Sequence, residues 1–110
     1  METVYHFGRP VWNRVARASG FIGRFRGLMG RQRLRTGEGL ILSPCNQVHT
    51  FCMRFPIDVL YLAKDLQVLR VTTLRPGRVG PRVKGACLVL EVEAGSAGAV
   101  KAGDRLMIAK

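Results

Sequence analysis

Six short apolar stretches, at 39–42, 48–53, 57–62, 67–74, 86–92 and 104–108, follow one another along the chain, separated by glycine, proline and small polar residues. Runs of about four to eight residues between such punctuation suit strands and are too short for amphipathic helices. Residues 57–62 and 67–74 flank the polar turn Ala63-Lys64-Asp65, which is the pattern of a hairpin. Only the segment 19–31 has a helical period. There Phe21, Phe25, Leu28 and Met29 stand at i, i+4, i+7 and i+8 behind Ser19, a residue type suited to an N-cap. Gly23, Gly27 and Gly30 inside it each cost about 1 kcal/mol relative to alanine, so this helix depends on its packing. A further helical turn is expected at 96–100. A chain of 110 residues accommodates one domain, 1–110. The expected architecture is mainly β: a compact β-barrel or sandwich with one short helix packed across it.

Charge is the unusual part of the composition. Eighteen Lys plus Arg stand against seven Asp plus Glu, a net charge of +11, and fourteen of the cations are arginine. Residues 1–37 hold eight arginines and one acid, Glu2. A second basic stretch, 70–84, contains Arg70, Arg75, Arg78, Arg82 and Lys84 without an acid, and its proline- and glycine-rich centre reads as a loop. An anionic partner follows as an expectation, although an Arg-over-Lys bias with abundant Gly, Ala and Val is also what a GC-rich genome imposes. No apolar run approaches the roughly 18 residues of a membrane helix. Residues 1–10 lack the pattern of a secretory leader, and three cysteines, Cys45, Cys52 and Cys87, cannot all pair. A soluble cytoplasmic protein is therefore expected.

Several blocks recur in a fixed order: Arg26-Gly27-Leu28-Met29-Gly30-Arg31, Gly37-Glu38-Gly39-Leu40-Ile41-Leu42, and the run from Val48-His49-Thr50-Phe51 to Pro56-Ile57-Asp58-Val59. Gly85-Ala86, Val89-Leu90-Glu91, Ala94-Gly95 and Gly103-Asp104 come after them. Over about 11–109 the chain thereby resembles the prokaryotic family named domain of unknown function 192. The resemblance implies a compact β-rich domain with no established reaction, and it transfers no catalytic residues. Many members of that family begin with an export signal, a pattern this chain does not show.

The segment 45–58 carries most of the candidate chemistry. If 48–55 is extended, His49, Phe51, Met53 and Phe55 share one face. His49 then either holds a backbone carbonyl in the core or forms part of a pocket. Asp58 alternates with apolar residues and needs a donor, for which Arg54 is nearest in sequence. Glu91, inside Val89-Leu90-Glu91-Val92, calls for a cationic partner, and Arg26 is the expected one. Cys45-x3-His49-x2-Cys52 differs from the paired spacing of structural zinc sites, and a strand would turn His49 and Cys52 to opposite faces, so no metal is expected. Cys87, in an apolar stretch, reads as a core residue. No cofactor motif, triad or paired carboxylates mark an enzyme.

The resulting expectation is a binding module for a small anionic or sugar-like ligand. Its pocket would lie near the basic loop, with His49, Arg54, Asp58, Arg78, Arg82 and Lys84 as ligand-binding candidates and Arg26 with Glu91 as a structural ion pair. A nucleic-acid partner held by the arginine-rich surface is the alternative, and a protein-interaction module without a pocket is another. Phe21, Phe25 and Phe51 read as core residues, which weakens stacking recognition of single strands.

Overall fold

A computed structural model describes residues 1–110, apart from the side chains of Phe21 and Ile22. The first two strands, β1 (Glu2–His6) and β2 (Arg9–Ala18), form a hairpin that the apolar pattern does not announce. Its turn residues, Phe7 and Gly8, both have positive φ, 51° and 76°, as a two-residue hairpin turn requires. A bulge shifts the register near Val4, so the buried residues Val4, Trp12 and Val15 break strict alternation.

The chain then crosses over through a short helix, α1 (Phe21–Arg26), to β3 (Glu38–Leu42), which runs parallel to β2. All other strand pairs are antiparallel. With β4 (Ile57–Leu62), β5 (Val68–Leu74), β6 (Leu88–Glu93) and β7 (Leu106–Ala109) the order across the sheet is β5-β4-β6-β3-β2-β1-β7. The two edges approach each other where Leu106 N donates to Leu66 O (3.1 Å) and Val68 N donates to Asp104 O (2.7 Å). The sheet is thus curled into a half-barrel.

Curling makes one face concave, and Trp12, Val15, Ile41, Leu60, Leu62, Leu90, Val92 and Leu106 fill it. The other face of the central strands is buried too. Leu40 and Leu42, Ile57, Val59 and Tyr61, and Val89 lie there under Leu28, Leu34, Val48 and Met53 from the crossover and the β3–β4 connection. Hence β4 is buried at every position, the pattern of a strand covered on both sides.

Three expectations are corrected. The helix covers six residues instead of 19–31, because Gly27 takes φ 45° and its N–H closes the last turn on Gly23 O (3.0 Å). Residues 96–100 form successive tight turns with i to i−3 bonds, including Val100 N to Ala97 O (2.9 Å), and no helix. Residues 48–53 are irregular, with Cys52 at φ 60°, and only His49 makes a bridge, to Val79.

That irregular segment is held by a side chain. Buried Thr50 donates its hydroxyl to Arg75 O (2.6 Å) and accepts from Arg78 N (2.8 Å), while its own N–H donates to Arg78 O (2.8 Å). The basic loop is thereby fastened beside residues 48–50, and Tyr61 steadies its far side by donating to Pro81 O (3.0 Å). Thr50→Val keeps the shape and removes the hydroxyl. It should destabilise the fold by about 1–3 kcal/mol in urea denaturation and speed hydrogen exchange at the Arg78 amide, while the amides of β4 and β6 stay protected.

Candidate functional site

Glu91 sits in the middle of β6, opposite Leu40 on β3 and Val59 on β4, on the face covered by the crossover. It is 2% exposed, and its Oε1 has no hydrogen-bond partner. Burial pushes its pKa up to about 8, so the carboxyl is mostly protonated at neutral pH. The end of α1 lies directly above. A Cβ on Gly27 would stand 3.6 Å from Glu91 Oε1, and Glu91 is among the residues that line a cavity of about 300 Å3 beside α1.

Arg24 and Arg26 line this cavity from α1, and Cys45, Asn46, Gln47 and His49 line it from the segment after β3. Leu42, Val48 and Met53 supply apolar wall. Burial raises the Cys45 thiol above its ordinary pKa; Glu91 adds to the rise and Arg24 opposes it. Cys45 is therefore not poised as a thiolate.

His49 closes the cavity rim as a rigid clip. The Phe51 N–H donates to its Nδ1 (3.1 Å), which fixes the hydrogen on Nε2, and Nε2 donates to Phe25 O (2.8 Å). The imidazole lies between two phenylalanine rings, with centroids 4.8 Å from Phe25 and 5.0 Å from Phe51. His49 thus holds one backbone carbonyl and borders the cavity as well.

The other sequence candidates lie elsewhere. Arg54 is exposed and borders a shallow depression with Phe25, Arg26, Met29, Gly30 and Cys52. Arg78, Arg82 and Lys84 are exposed on the basic loop and are absent from the cavity wall. Asp58 is buried without an arginine: it accepts from Thr73 Oγ1 (2.7 Å), Gly95 N (2.8 Å) and Ala97 N (3.2 Å), pinning the turn after β6 to β4. The Arg54 partner expected for it is corrected accordingly. So is the Arg26–Glu91 ion pair, since the two residues share a cavity without a salt bridge.

Phe25 and Phe51 are 55% and 44% exposed and do not belong to the core; the side chain of Phe21 lies outside the described residues. Cys87 is exposed just before β6. Asn46 and Gln47 had no signal in the sequence, because the cavity wall they form is irregular backbone, and Arg24 on α1 was not singled out among the arginines of the helix. Among the described residues no group of three His, Cys, Asp or Glu could hold a metal ion, and no helix is long and apolar enough to cross a membrane.

The family model for domain of unknown function 192 (DUF192, Uncharacterized ACR) matches residues 4–108, a span that takes in most of β1. The chain belongs to this family. Two solved structures share the fold of this DUF192 protein. One is a protein of unknown function from Novosphingobium aromaticivorans DSM 12444, with a TM-score of 0.80 and 22% identity, covering 96% of this chain and 82% of that one. The other, provisionally named a transcription regulator, is from Sinorhizobium meliloti 1021, with a TM-score of 0.82 and 22% identity, covering 96% of this chain and 90% of that one. At that identity the likeness establishes the fold alone. No curated protein matches the DUF192 chain significantly.

The two buried acids make opposite predictions. Asp58→Ala strands two backbone donors and a hydroxyl, and it should cost roughly 3 kcal/mol in denaturant titration. Glu91 keeps its proton in the folded state up to about pH 8 but loses it near 4.5 when unfolded. Between those values the folded state binds more protons, so stability falls as pH rises, by a few kcal/mol in total. Glu91→Gln should abolish that slope and raise the melting temperature at pH 8. The lowered carboxyls of Glu38, Asp65 and Asp104 act at more acidic pH and leave this window clear.

Proposed function

We propose that this DUF192 protein is a binding module for a small oxyanion, of the class of sugar phosphates and sugar acids, held in the cavity between α1 and residues 44–49. The observation that carries the reading is the buried Glu91 carboxyl with Oε1 unpartnered beside that cavity. A buried polar group without a partner costs stability, and a ligand atom in the cavity would satisfy it. In its protonated form the carboxyl donates one hydrogen bond and accepts another. Arg24 and Arg26 add positive charge, and the Asn46 and Gln47 amides add neutral donors and acceptors suited to hydroxyl groups. The apolar wall of Leu42, Val48 and Met53 meets the less polar face of such a ligand.

The charged and titratable groups around Glu91 are Arg24 and Arg26 on α1, Cys45 and His49 on the covering segment, and Tyr61 on β4, which burial pushes up to about 12. An anion beside Glu91 favours the protonated carboxyl, so affinity falls as pH rises through about 8.

Calorimetric titration between pH 7 and 9 with inorganic phosphate, a hexose phosphate and a hexuronic acid tests the reading. At least one probe should bind, and more tightly at pH 7. Glu91→Gln should bind with a flat pH dependence, and Arg24→Ala should weaken binding at least fivefold. Failure of all three probes, or wild-type affinity in Arg24→Ala, would overturn it.

A further inference from the structure

Beside the cavity lies a surface of a different kind. Phe25 and Phe51 are both about half exposed, and His49 stands between their rings, locked by a hydrogen bond at each ring nitrogen. Aromatic rings are ordinarily buried, so two exposed ones held in fixed orientation are informative. Two cations border them, and two more are anchored in the neighbouring loop. Arg26 and Arg54 border the adjoining depression, whose other walls are Met29, Gly30 and Cys52. Arg75 and Arg78 are fastened by their backbones to Thr50, the residue between His49 and Phe51. No acid lines the depression.

We propose that this platform binds single-stranded nucleic acid, with bases stacking on Phe25 and Phe51 and phosphates held by Arg26, Arg54 and the arginines of the basic loop. Stacking is sequence-tolerant because every base has a π-face, and arginine on either side tracks the backbone. Charge complementarity selects this occupant: the chain carries +11, and Arg26, Arg75 and Arg78 belong to its two acid-poor stretches. An apolar peptide would find only a shallow depression between two guanidinium groups. A duplex offers phosphates but keeps its bases stacked inside, so the rings favour the single strand.

Phe25, Arg26 and Met29 border both the cavity and this surface, but Phe51 and Arg54 do not line the cavity, so substitutions at those two positions test the surface by itself. Fluorescence anisotropy with labelled dT12, rU12, a 12-bp duplex and polyglutamate, each across a salt series, tests the proposal. The two single strands should bind more tightly than the duplex or polyglutamate. Phe51→Ala should weaken strand binding at least fivefold, the loss of one stacked base, without changing the salt dependence. Arg54→Ala should reduce the slope of log K against log salt by about 0.7, one phosphate contact on a single strand. Glu91→Gln should bind strands as the wild type does, so the change it makes in the pH dependence of small-anion binding leaves this surface untouched. Phe51→Ala that remains folded and binds dT12 and rU12 like the wild type would overturn the proposal. Equal affinity for duplex, polyglutamate and single strands would overturn it too.

Discussion

The structure depends on burying both faces of the three central strands, β3, β4 and β6. The concave face is closed by the curl of the sheet itself, with Trp12 and Leu106 brought in from the strands nearer one edge. The opposite face has no second sheet to meet. It is covered by the β2–β3 crossover and by irregular backbone after β3, and buried irregular backbone must find hydrogen bonds outside a ladder. Thr50 supplies several of them at once, and Tyr61 ties the basic loop to the same layer. The cavity, the His49 clip and the placement of the arginines all belong to this cover rather than to the sheet.

That division explains what could be read from the sequence. Strands with both faces buried appear as continuous apolar runs, so 57–62 and 86–92 were legible to within a residue or two at most ends, and the partly exposed edge strand at 67–74 was marked by its Val and Thr residues. The β1–β2 hairpin was not, because its register shifts and its turn begins with Phe7, a side chain that rarely takes positive φ. The cover was hardest. An apolar run at 48–53 has the composition of a strand, yet only Val48, Thr50 and Met53 of it are buried and the backbone bends at Cys52. Placing it as a strand put Phe51 with the core, whereas His49 holds a backbone carbonyl and borders the cavity, as its residue type and neighbours suggested. Buried acids were visible as single carboxyls in apolar runs. Their partners were not, because Asp58 is satisfied by backbone N–H groups that composition does not display.

The charge takes on a sharper meaning in three dimensions. Arginines were expected to neutralise Asp58 and Glu91 from within, and neither acid has an arginine partner. The ion pairs present are Arg17–Glu2, Arg31–Glu38, Arg105–Asp65 and His6–Asp104, and the three arginine pairs are on the surface, where such pairs contribute little to stability. Arg26, Arg54, Arg75 and Arg78 take part in none of these pairs. These four cations are therefore not engaged in holding an acid of the fold.

Asp58 and Glu91 present the same problem in sequence and opposite solutions in structure. Each lies on a central strand among apolar residues and is nearly inaccessible. Asp58 has three donors and ties the turn after β6 to the sheet, so its burial is accounted for by the fold alone. Glu91 ties nothing. A leucine in its place would extend the apolar face made by Val59, Tyr61 and Val89 and remove a destabilising desolvation. The glycine above it, at φ 45°, brings the end of α1 to within van der Waals reach of the carboxyl. A sequence that satisfies its other buried carboxyl so fully, yet leaves this one unpartnered in the wall of a cavity that two arginines also line, departs there from what stability alone would favour, and such departures concentrate where a protein meets its ligand.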